Sequence, residues 1–356
     1  MMMDLKGLNQ QEMEDYAKTI GESAFRGRQL FKWIYNKGES DFGPMTDIGK
    51  ALKEKLSHIC YVSQIKPVNR VKSANGDTEK FLFELSDGNH VESVLMRYEE
   101  HLGFGRTTAC ISTQVGCAQG CAFCASGKHG FIRNLTAAEI VDQVIQIQNT
   151  IDETEERVSN VVIMGIGEPL VNYDNVLKAI HLINHCDGVA IGIRHIAVST
   201  VGIPALIRRL ADEKLHIRFA VSLHAPNDEI RNKIMPVNHK FPISELIDAC
   251  KYYQKTTERR ITIEYMLIDG LNDSPAHARE LAKLLDGLFV MVNLIPLNPV
   301  EHFPYKRPPM ARCRAFIAET EKYGLKSLLR NERGTGIDAA CGQLRNRVEE
   351  SASDLL

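Results

Sequence analysis

No stretch of this 356-residue chain approaches the roughly 18 consecutive apolar residues that a membrane-spanning helix requires. No charge of one sign dominates either. The 43 Lys and Arg stand against 45 Asp and Glu, a net charge of −2. That balance neither demands nor forbids a nucleic-acid partner, because a local basic face decides the matter. No internal repeat and no low-complexity run occurs, which sets aside a solenoid. A signal-peptide pattern is also missing: Met1-Met2-Met3-Asp4-Leu5-Lys6 leads straight into a polar amphipathic segment. The expectation is a cytoplasmic protein without a membrane partner. There, nine cysteines stay reduced instead of forming a disulfide framework.

What is present is enough apolar material for a sizeable core, 44 % of residues, in one large domain or a large domain with a small one. Residues 1–60 read as a helical module. Asn9 caps Gln10 to Ile20, Phe25 to Tyr35 has apolar residues at helical spacing, and a third helix is expected over Pro44 to Leu56. Residues 61–102 read as a β-meander of Val68–Lys72, Lys80–Leu85 and Val91–Met96. Asn75-Gly76 and Asp87-Gly88 are hairpin turns between these strands. Residues 103–335 then alternate. Strands are expected at Arg106–Thr113, Asn160–Ile166, His195–Thr200, Arg218–Leu223, Arg260–Ile268 and Val290–Leu297. Helices are expected at Thr136–Asn149, Tyr173–Asn184, Ile203–Ala211, Pro242–Tyr253, Ser274–Leu285 and Ala311–Tyr323. Six β/α units imply an α/β fold, a parallel sheet covered by helices and curled into a partial (β/α)6 barrel. Residues 336–356 form a C-terminal segment.

Chemistry concentrates in Cys117-Ala-Gln-Gly-Cys121-Ala-Phe-Cys124, just after the first barrel strand, where a site-forming loop belongs. Three close thiolates suit an iron–sulfur cluster or zinc. In a [4Fe–4S] cluster three protein thiolates leave one iron open to a small chelating molecule, and C-x3-C-x2-C is the spacing of radical S-adenosylmethionine (SAM) enzymes. Zinc would want a fourth ligand in regular spacing; His129 is on offer, but no second pair follows.

Other positions gain meaning from that motif. Gly165-Ile166-Gly167-Glu168-Pro169 ends the second strand, where glycines admit a ligand to the backbone and Glu168 can accept hydrogen bonds from an ammonium group. Ser199-Thr200, Ser222-Leu223-His224 and Asn298-Pro299 end later strands. Each alone is a cap or a turn, and His224 a structural histidine. Recurrence at one end of the barrel groups them round one pocket. Cys341 stands among small residues in Gly336-Ile337-Asp338-Ala339-Ala340-Cys341-Gly342. In isolation it reads as a buried structural cysteine, and Cys110 as a core residue. The basic clusters Arg26/Arg28/Lys32, Arg208/Arg209, Arg259/Arg260, Lys306/Arg307 and Arg312/Arg314 each read alone as solvated faces.

Taken together the chain resembles the RlmN/Cfr family of radical SAM RNA methyltransferases. The resemblance rests on the cysteine motif, on Gly130-Phe131-x-Arg133-Asn134-Leu135, on Gly165-x-Gly167-Glu168-Pro169-Leu170 and on Ser222-Leu223-His224-Ala225-Pro226-Asn227. Asn293-Leu294-Ile295-Pro296-x-Asn298-Pro299 and Ile337-Asp338-Ala339-Ala340-Cys341-Gly342-Gln343-Leu344 complete it, and the last is specific to this family. One departure is Ile166, where the family has Met, a volume-conserving change.

The resemblance implies a [4Fe–4S] cluster on Cys117, Cys121 and Cys124, and SAM contacts at Gly167, Glu168, Ser199, Ser222, Leu223, His224 and Asn298. It implies two SAM per turnover. Cys341 takes a methyl group from one and becomes an S-methylcysteine, while reductive cleavage of the other yields a radical that removes a hydrogen from that methyl. Cys110 resolves the resulting protein–RNA adduct by forming a transient disulfide with Cys341, and Glu92 is the proton acceptor. By its residues alone, Glu92 reads as a solvent-facing strand carboxylate. The implied substrates are an adenine of 23S rRNA and the adenine next to the anticodon of some tRNAs, methylated at C2. Residues 1–60 would bind the RNA, a reductant protein such as flavodoxin or ferredoxin would supply electrons, and the enzyme would be a monomer. The alternatives are the C8-methylating, antibiotic-resistance branch of the family, a radical SAM enzyme for peptides or small molecules, and a non-catalytic zinc-binding RNA adaptor.

Overall fold

In the computed structural model, residues 2–98, 105–128, 130–151, 156–298, 300, 303–330 and 333–344 are described. The front module is clasped at its ends. Strand β1 (Met3–Asp4) runs parallel to β2 (Cys60–Tyr61), and between them lie α1 (Gln10–Thr19), α2 (Ala24–Tyr35) and α3 (Lys50–Ile59). Asn9 opens α1 with a capping box: its side chain accepts from the Glu12 N–H, and the Glu12 side chain reaches back to the Asn9 N–H. The third helix is displaced from its expected place. Residues 44–48 form turns and bends, and the helix occupies Lys50–Ile59.

The meander β3 (Lys66–Lys72), β4 (Thr78–Glu84) and β5 (His90–Tyr98) is antiparallel, and β5 pairs antiparallel with β6 (Arg106–Ile111). A small hairpin, β7 (Gln114–Gly116) and β8 (Phe131–Asn134), follows, then α4 (Ala137–Ile151). The chain continues through β9 (Asn160–Ile163), α5 (Tyr173–Asn184), β10 (Ile196–Thr200), α6 (Pro204–Asp212), β11 (Arg218–Ser222), α7 (Asp228–Ile234) and α8 (Ile243–Thr257). It ends with β12 (Ile261–Leu267), α9 (Pro275–Leu284), β13 (Val290–Pro296), α10 (Met310–Lys322) and β14 (Ser327–Leu329).

Meander and barrel share one ten-stranded sheet in the order β14-β13-β12-β11-β10-β9-β6-β5-β4-β3. From β6 to β14 all neighbours are parallel. The six expected β/α units are present, and β14 adds a strand that the sequence did not announce. Alternation along these strands divides the work of the fold. On β12, Ile261, Ile263, Tyr265 and Leu267 point outward and join Leu246 of α8 and Leu281 of α9 in the main core. Each such burial contributes about 1.5–3 kcal/mol. The intervening residues, Thr262, Glu264 and Met266, face the barrel interior and line its cavities. Polar side chains therefore reach the interior without disturbing the helix-facing core. The buried pair Lys6–Asp142, 2.6 Å apart, ties the front module to α4.

Candidate active site

The β7–β8 hairpin sets the first cysteine. Gly116 has φ +70°, and a Cβ there would stand 1.9 Å from the Gly130 carbonyl oxygen, so only glycine permits the crossing. The Cys117 N–H donates to that same oxygen at 2.8 Å. Further on, the Ala122 N–H donates to Ile234 O on α7 (2.9 Å), and the Ala125 N–H to Gly342 O in the C-terminal segment (2.7 Å). The loop bearing Cys117, Cys121 and Cys124 is thus anchored to three separate parts of the chain. Burial raises all three thiols above the ordinary range, Cys117 to about 11. A bound metal group would reverse this, since it takes thiolates.

The spacing of the sulfurs bears on which metal group the loop would hold. A single zinc with sulfurs at about 2.3 Å draws them to within roughly 4 Å of one another. Among the described residues, the group of three ligand atoms lying within 4.8 Å of one another is His185, Cys186 and Asp187. The three loop cysteines are not gathered as closely as that group, an arrangement compatible with thiolates that would sit on different irons of a cluster. His129 lies outside the described residues.

Beside the loop is a cavity of about 150 Å³, lined by all three cysteines and by Gly167 and Glu168. Glu168 is held from three sides. Oε1 accepts from Thr200 Oγ1 (2.6 Å) and the Leu170 N–H (3.0 Å), and Oε2 from the Val201 N–H (2.8 Å). Burial nevertheless lifts its pKa to about 6, the hydrogen bonds opposing the shift. Gly167, φ +108°, lies so close to Gln114 that a Cβ would be 2.7 Å from its side chain. Ser199 and Ser222 line the same cavity, their hydroxyls 3.4 Å apart. His224 lines it too. Its Nδ1 accepts from the Met266 N–H at 3.0 Å, its ring meets Phe123 edge-on, and burial lowers its pKa to about 3. The imidazole is therefore neutral at physiological pH, with Nε2 carrying the proton. Its backbone is strained, φ +58°, a cost met at functional positions. Leu223 differs from its neighbours. Its side chain packs in the main core, its N–H donates to Glu264 O, and its carbonyl accepts from Arg231 Nε.

A second cavity, about 80 Å³, shares Cys124, Gly165 and Cys341 with the first and is also lined by Cys110 and Asn298. Cys110 and Cys341, 231 positions apart in sequence by their numbers, thus face one space, both as free thiols. Burial first, and then Cys341, push the Cys110 thiol up to about 12. Asn298 Nδ2 donates to the Cys341 carbonyl at 3.2 Å, while its Oδ1 is buried with no hydrogen-bond partner among the described residues, an acceptor left for a ligand. Glu92 is not a solvent-facing carboxylate: it is 2 % exposed. Lys80 and Cys110 both lie opposite Val94 in register, so alternation puts Glu92 on their face of the sheet.

Three site-building residues escaped the sequence. Arg231, fully buried, donates to the carbonyls of Val201, Ser222 and Leu223 and to Asn238 Oδ1, stapling the carboxyl ends of β10 and β11. Glu264, on β12, accepts from Asn293 Nδ2 at 2.8 Å, and burial raises its pKa. Arg330 follows β14 and lines both cavities.

Fold and cysteine loop together define a radical SAM enzyme. A family model described as "Radical SAM superfamily" matches residues 111–282, and one described as "Ribosomal RNA large subunit methyltransferase N-terminal domain" matches residues 3–62. The crystal structure of a radical SAM methyltransferase from Sphaerobacter thermophilus superposes with a TM-score of 0.91 at 44 % identity, covering 96 % of this chain and 99 % of that one. The chain is 47 % identical over 346 residues to the probable dual-specificity RNA methyltransferase RlmN of Thermoanaerobacter pseudethanolicus, spanning 97 % of this chain and 98 % of the relative. It is 48 % identical over 347 residues to that of Desulforamulus reducens, spanning 98 % and 97 %. The chain belongs to the RlmN family of radical SAM RNA methyltransferases, and membership implies a [4Fe–4S] cluster and SAM.

Proposed function

We propose that this protein methylates C2 of an adenine in 23S rRNA and of the adenine next to the anticodon in some tRNAs. The observation that carries this reading is the single cavity lined by Cys110 and Cys341 beside the cysteine loop. C2 of adenine is electron-poor and has no acidic proton, so ordinary attack on a methyl donor fails there. A cysteine that carries the methyl group, with a second cysteine to release it, answers that difficulty.

Cys117, Cys121 and Cys124 would hold the cluster. Glu168, as a carboxylate, would accept the ammonium group of SAM, with Gly167, Ser199, Ser222, Leu223, His224 and Asn298 around the rest of the molecule. The bound cluster and two SAM per turnover supply the methyl group and the hydrogen-abstracting power. Cys341 takes the methyl by displacement, losing its thiol proton as the C–S bond forms. Once that carbon is bonded to C2, Glu92 receives the C2 proton. The Cys110 thiolate then attacks the Cys341 sulfur: an S–S bond forms, the C–S bond breaks with its electron pair passing to the carbon, and that carbon takes a proton to become the methyl group on the base. The one unpaired electron that radical addition left on the ring would return to the bound cluster.

Residues 1–60 would grip RNA through phosphate contacts and shape, using Arg26, Arg28 and Lys32. A reductant protein of the flavodoxin or ferredoxin kind would supply electrons. No described helix is long and apolar enough to cross a membrane, and we place the enzyme in the cytoplasm as a monomer. The test is anaerobic reconstitution followed by methylation of ribosomal RNA and tRNA fragments, with isomer identification of the product. 2-Methyladenosine is expected; 8-methyladenosine, or no methylated base, refutes the reading.

A further inference from the structure

Arg330 owes its place to the strand that the sequence did not announce. β14 pairs with β13 through Asn293–Leu328 and Leu294–Leu329, and the Arg330 N–H extends the ladder by donating to Leu294 O at 2.9 Å. Alternation then turns its side chain, like that of Leu328, into the barrel. There it lines the cavity beside the cluster loop, the cavity of Cys110 and Cys341, and a larger interior cavity of about 440 Å³ beneath them. It stands at the seam of all three.

Its guanidinium has no hydrogen bond or ion pair with any described residue; its backbone N–H makes the bond just noted. Nearby arginines differ. Arg231 has four acceptors, and Arg333 is bonded to Asp77 and to the Arg97 carbonyl. Arg330 is half-buried, and its guanidinium N–H donors are turned into these cavities, where a ligand can accept from them. The groups facing it are the thiols of Cys341 and Cys110, the buried Glu264 and Tyr98. Of the charged groups of SAM, the ammonium and sulfonium carry its own sign and are poor partners; the carboxylate is the competing acceptor, and the experiment below reads SAM affinity to separate the two.

We propose that Arg330 is a catalytic residue that donates a hydrogen bond to a ring nitrogen flanking C2 of the target adenine. This rests on the adenine-C2 chemistry proposed above and deepens it. A carbon radical next to sulfur is electron-rich and adds fastest to an electron-poor ring. Donation to N1 or N3 withdraws electron density from C2 as the radical arrives. In this step one bond forms, between the Cys341 methylene carbon and C2. The unpaired electron passes into the ring, and nothing leaves. Arg330 keeps its protons and needs no co-reactant. Because the bond strengthens as the ring gains electron density, it favours the transition state over the bound base.

The experiment reads the addition step alone. Cluster-loaded protein carrying Cys110→Ala, where the adduct is expected to accumulate, is compared with the same protein also carrying Arg330→Gln or Arg330→Lys. The RNA carries adenosine, 1-deazaadenosine or 3-deazaadenosine at the target. Without RNA, SAM affinity and methylation of Cys341, followed by peptide mass, are measured in both variants as the reference, and are expected to fall far less than adduct formation does. Adduct formation on adenosine is expected to fall about ten- to a hundredfold in Arg330→Gln, the loss of one charge-assisted bond, with partial rescue by Arg330→Lys. One of the two deaza substrates should slow the parent protein similarly and gain nothing further from Arg330→Gln.

Loss of Cys341 methylation or of SAM affinity in both variants overturns the proposal, because Arg330 then serves the thiol or the cofactor. Deaza and Arg330 effects that simply multiply overturn it as well. If the parent protein forms no adduct on unmodified RNA, the adenine-C2 reading itself has failed; if it does and the Arg330 variants match it, only this inference has.

Discussion

Lys80 and Glu92 form an ion pair, Nζ to Oε1 3.0 Å, with side chains only 9 % and 2 % exposed. The same ammonium group reaches the Asp338 carbonyl at 3.4 Å. One lysine thereby joins β4, the proposed proton acceptor on β5 and the turn that carries Cys341. Lys80→Met should cost about 3–5 kcal/mol in denaturant unfolding, because it strands a buried charge. Lys80→Met with Glu92→Leu should recover most of that loss. If the double variant is no more stable than the single one, the pair is not coupled.

Glu168 gives a pH dependence. With its pKa at about 6, it is ionised above that value and able to hold an ammonium group. SAM affinity of the cluster-loaded protein should therefore fall as pH drops below 6, up to about tenfold per pH unit. Glu168→Gln should bind weakly and without that slope; equilibrium dialysis measures both. Without SAM, the effect on stability has the opposite sense. The folded pKa is raised above the ordinary 4.5, so this group's contribution is full below 4.5 and is lost as pH rises through 6, by about 2 kcal/mol.

The two redox cysteines should fail differently. Cys341→Ala lacks the methyl carrier and should form no covalent RNA adduct. Cys110→Ala should still be methylated and still add to the base, then accumulate protein joined to RNA. A species that resists denaturant and disappears with ribonuclease marks it on a gel. Normal turnover of Cys110→Ala would reduce that residue to core packing.

Gly116→Ala should be severe for so small a change. The left-handed backbone alone costs about 1–2 kcal/mol, and the Cβ at 1.9 Å from Gly130 O forces the hairpin apart. Iron content after reconstitution should collapse along with stability, because Cys117 is the next residue. A variant that folds and loads normally would show that the hairpin does not set the cysteine.

RNA binding should weaken steeply with salt despite the net charge of −2. Replacing Arg26, Arg28 and Lys32 together should lower affinity and flatten the slope of log affinity against log salt. In the structure Arg26 and Arg28 both flank the ring of exposed Phe25. Unchanged binding would remove α2 from the recognition surface.

Much of this was legible because it rests on local pattern. The six β/α units declared themselves through apolar strands and amphipathic helices, the meander through its Asn-Gly and Asp-Gly turns, and the cysteine loop through spacing. What stayed hidden is set by tertiary pairing. β14 is three residues long, too short for any periodicity, and exists because β13 offers it an edge. With β14 hidden, Arg330 was only one of many arginines. Glu92 reads as a surface carboxylate because alternation reports two faces of a strand but cannot say that both are covered. Along β5 the residues from Val91 to Met96 are all buried, since Val91 and Leu95 join the main core on one face while Val94 and Met96 pack with Ala339 and Leu344 of the C-terminal segment on the other. Arg231 looks like a solvated helix residue until three carbonyls converge on it.

The hydrogen bond from the Ala125 N–H to Gly342 O, seconded by Ser126 Oγ to Leu344 O at 3.0 Å, also orders events in time. The cysteine loop leaves the ribosome roughly 200 residues before the segment that latches onto it, an interval on the order of 10–40 s at ordinary rates of synthesis. For that period the loop is open on the side later sealed by Cys341. Iron and sulfide are best delivered then, to a nascent chain whose lid has not been made. Loading the finished protein is expected to be slower than loading a chain that ends before Gly342, and iron uptake by the two compares them.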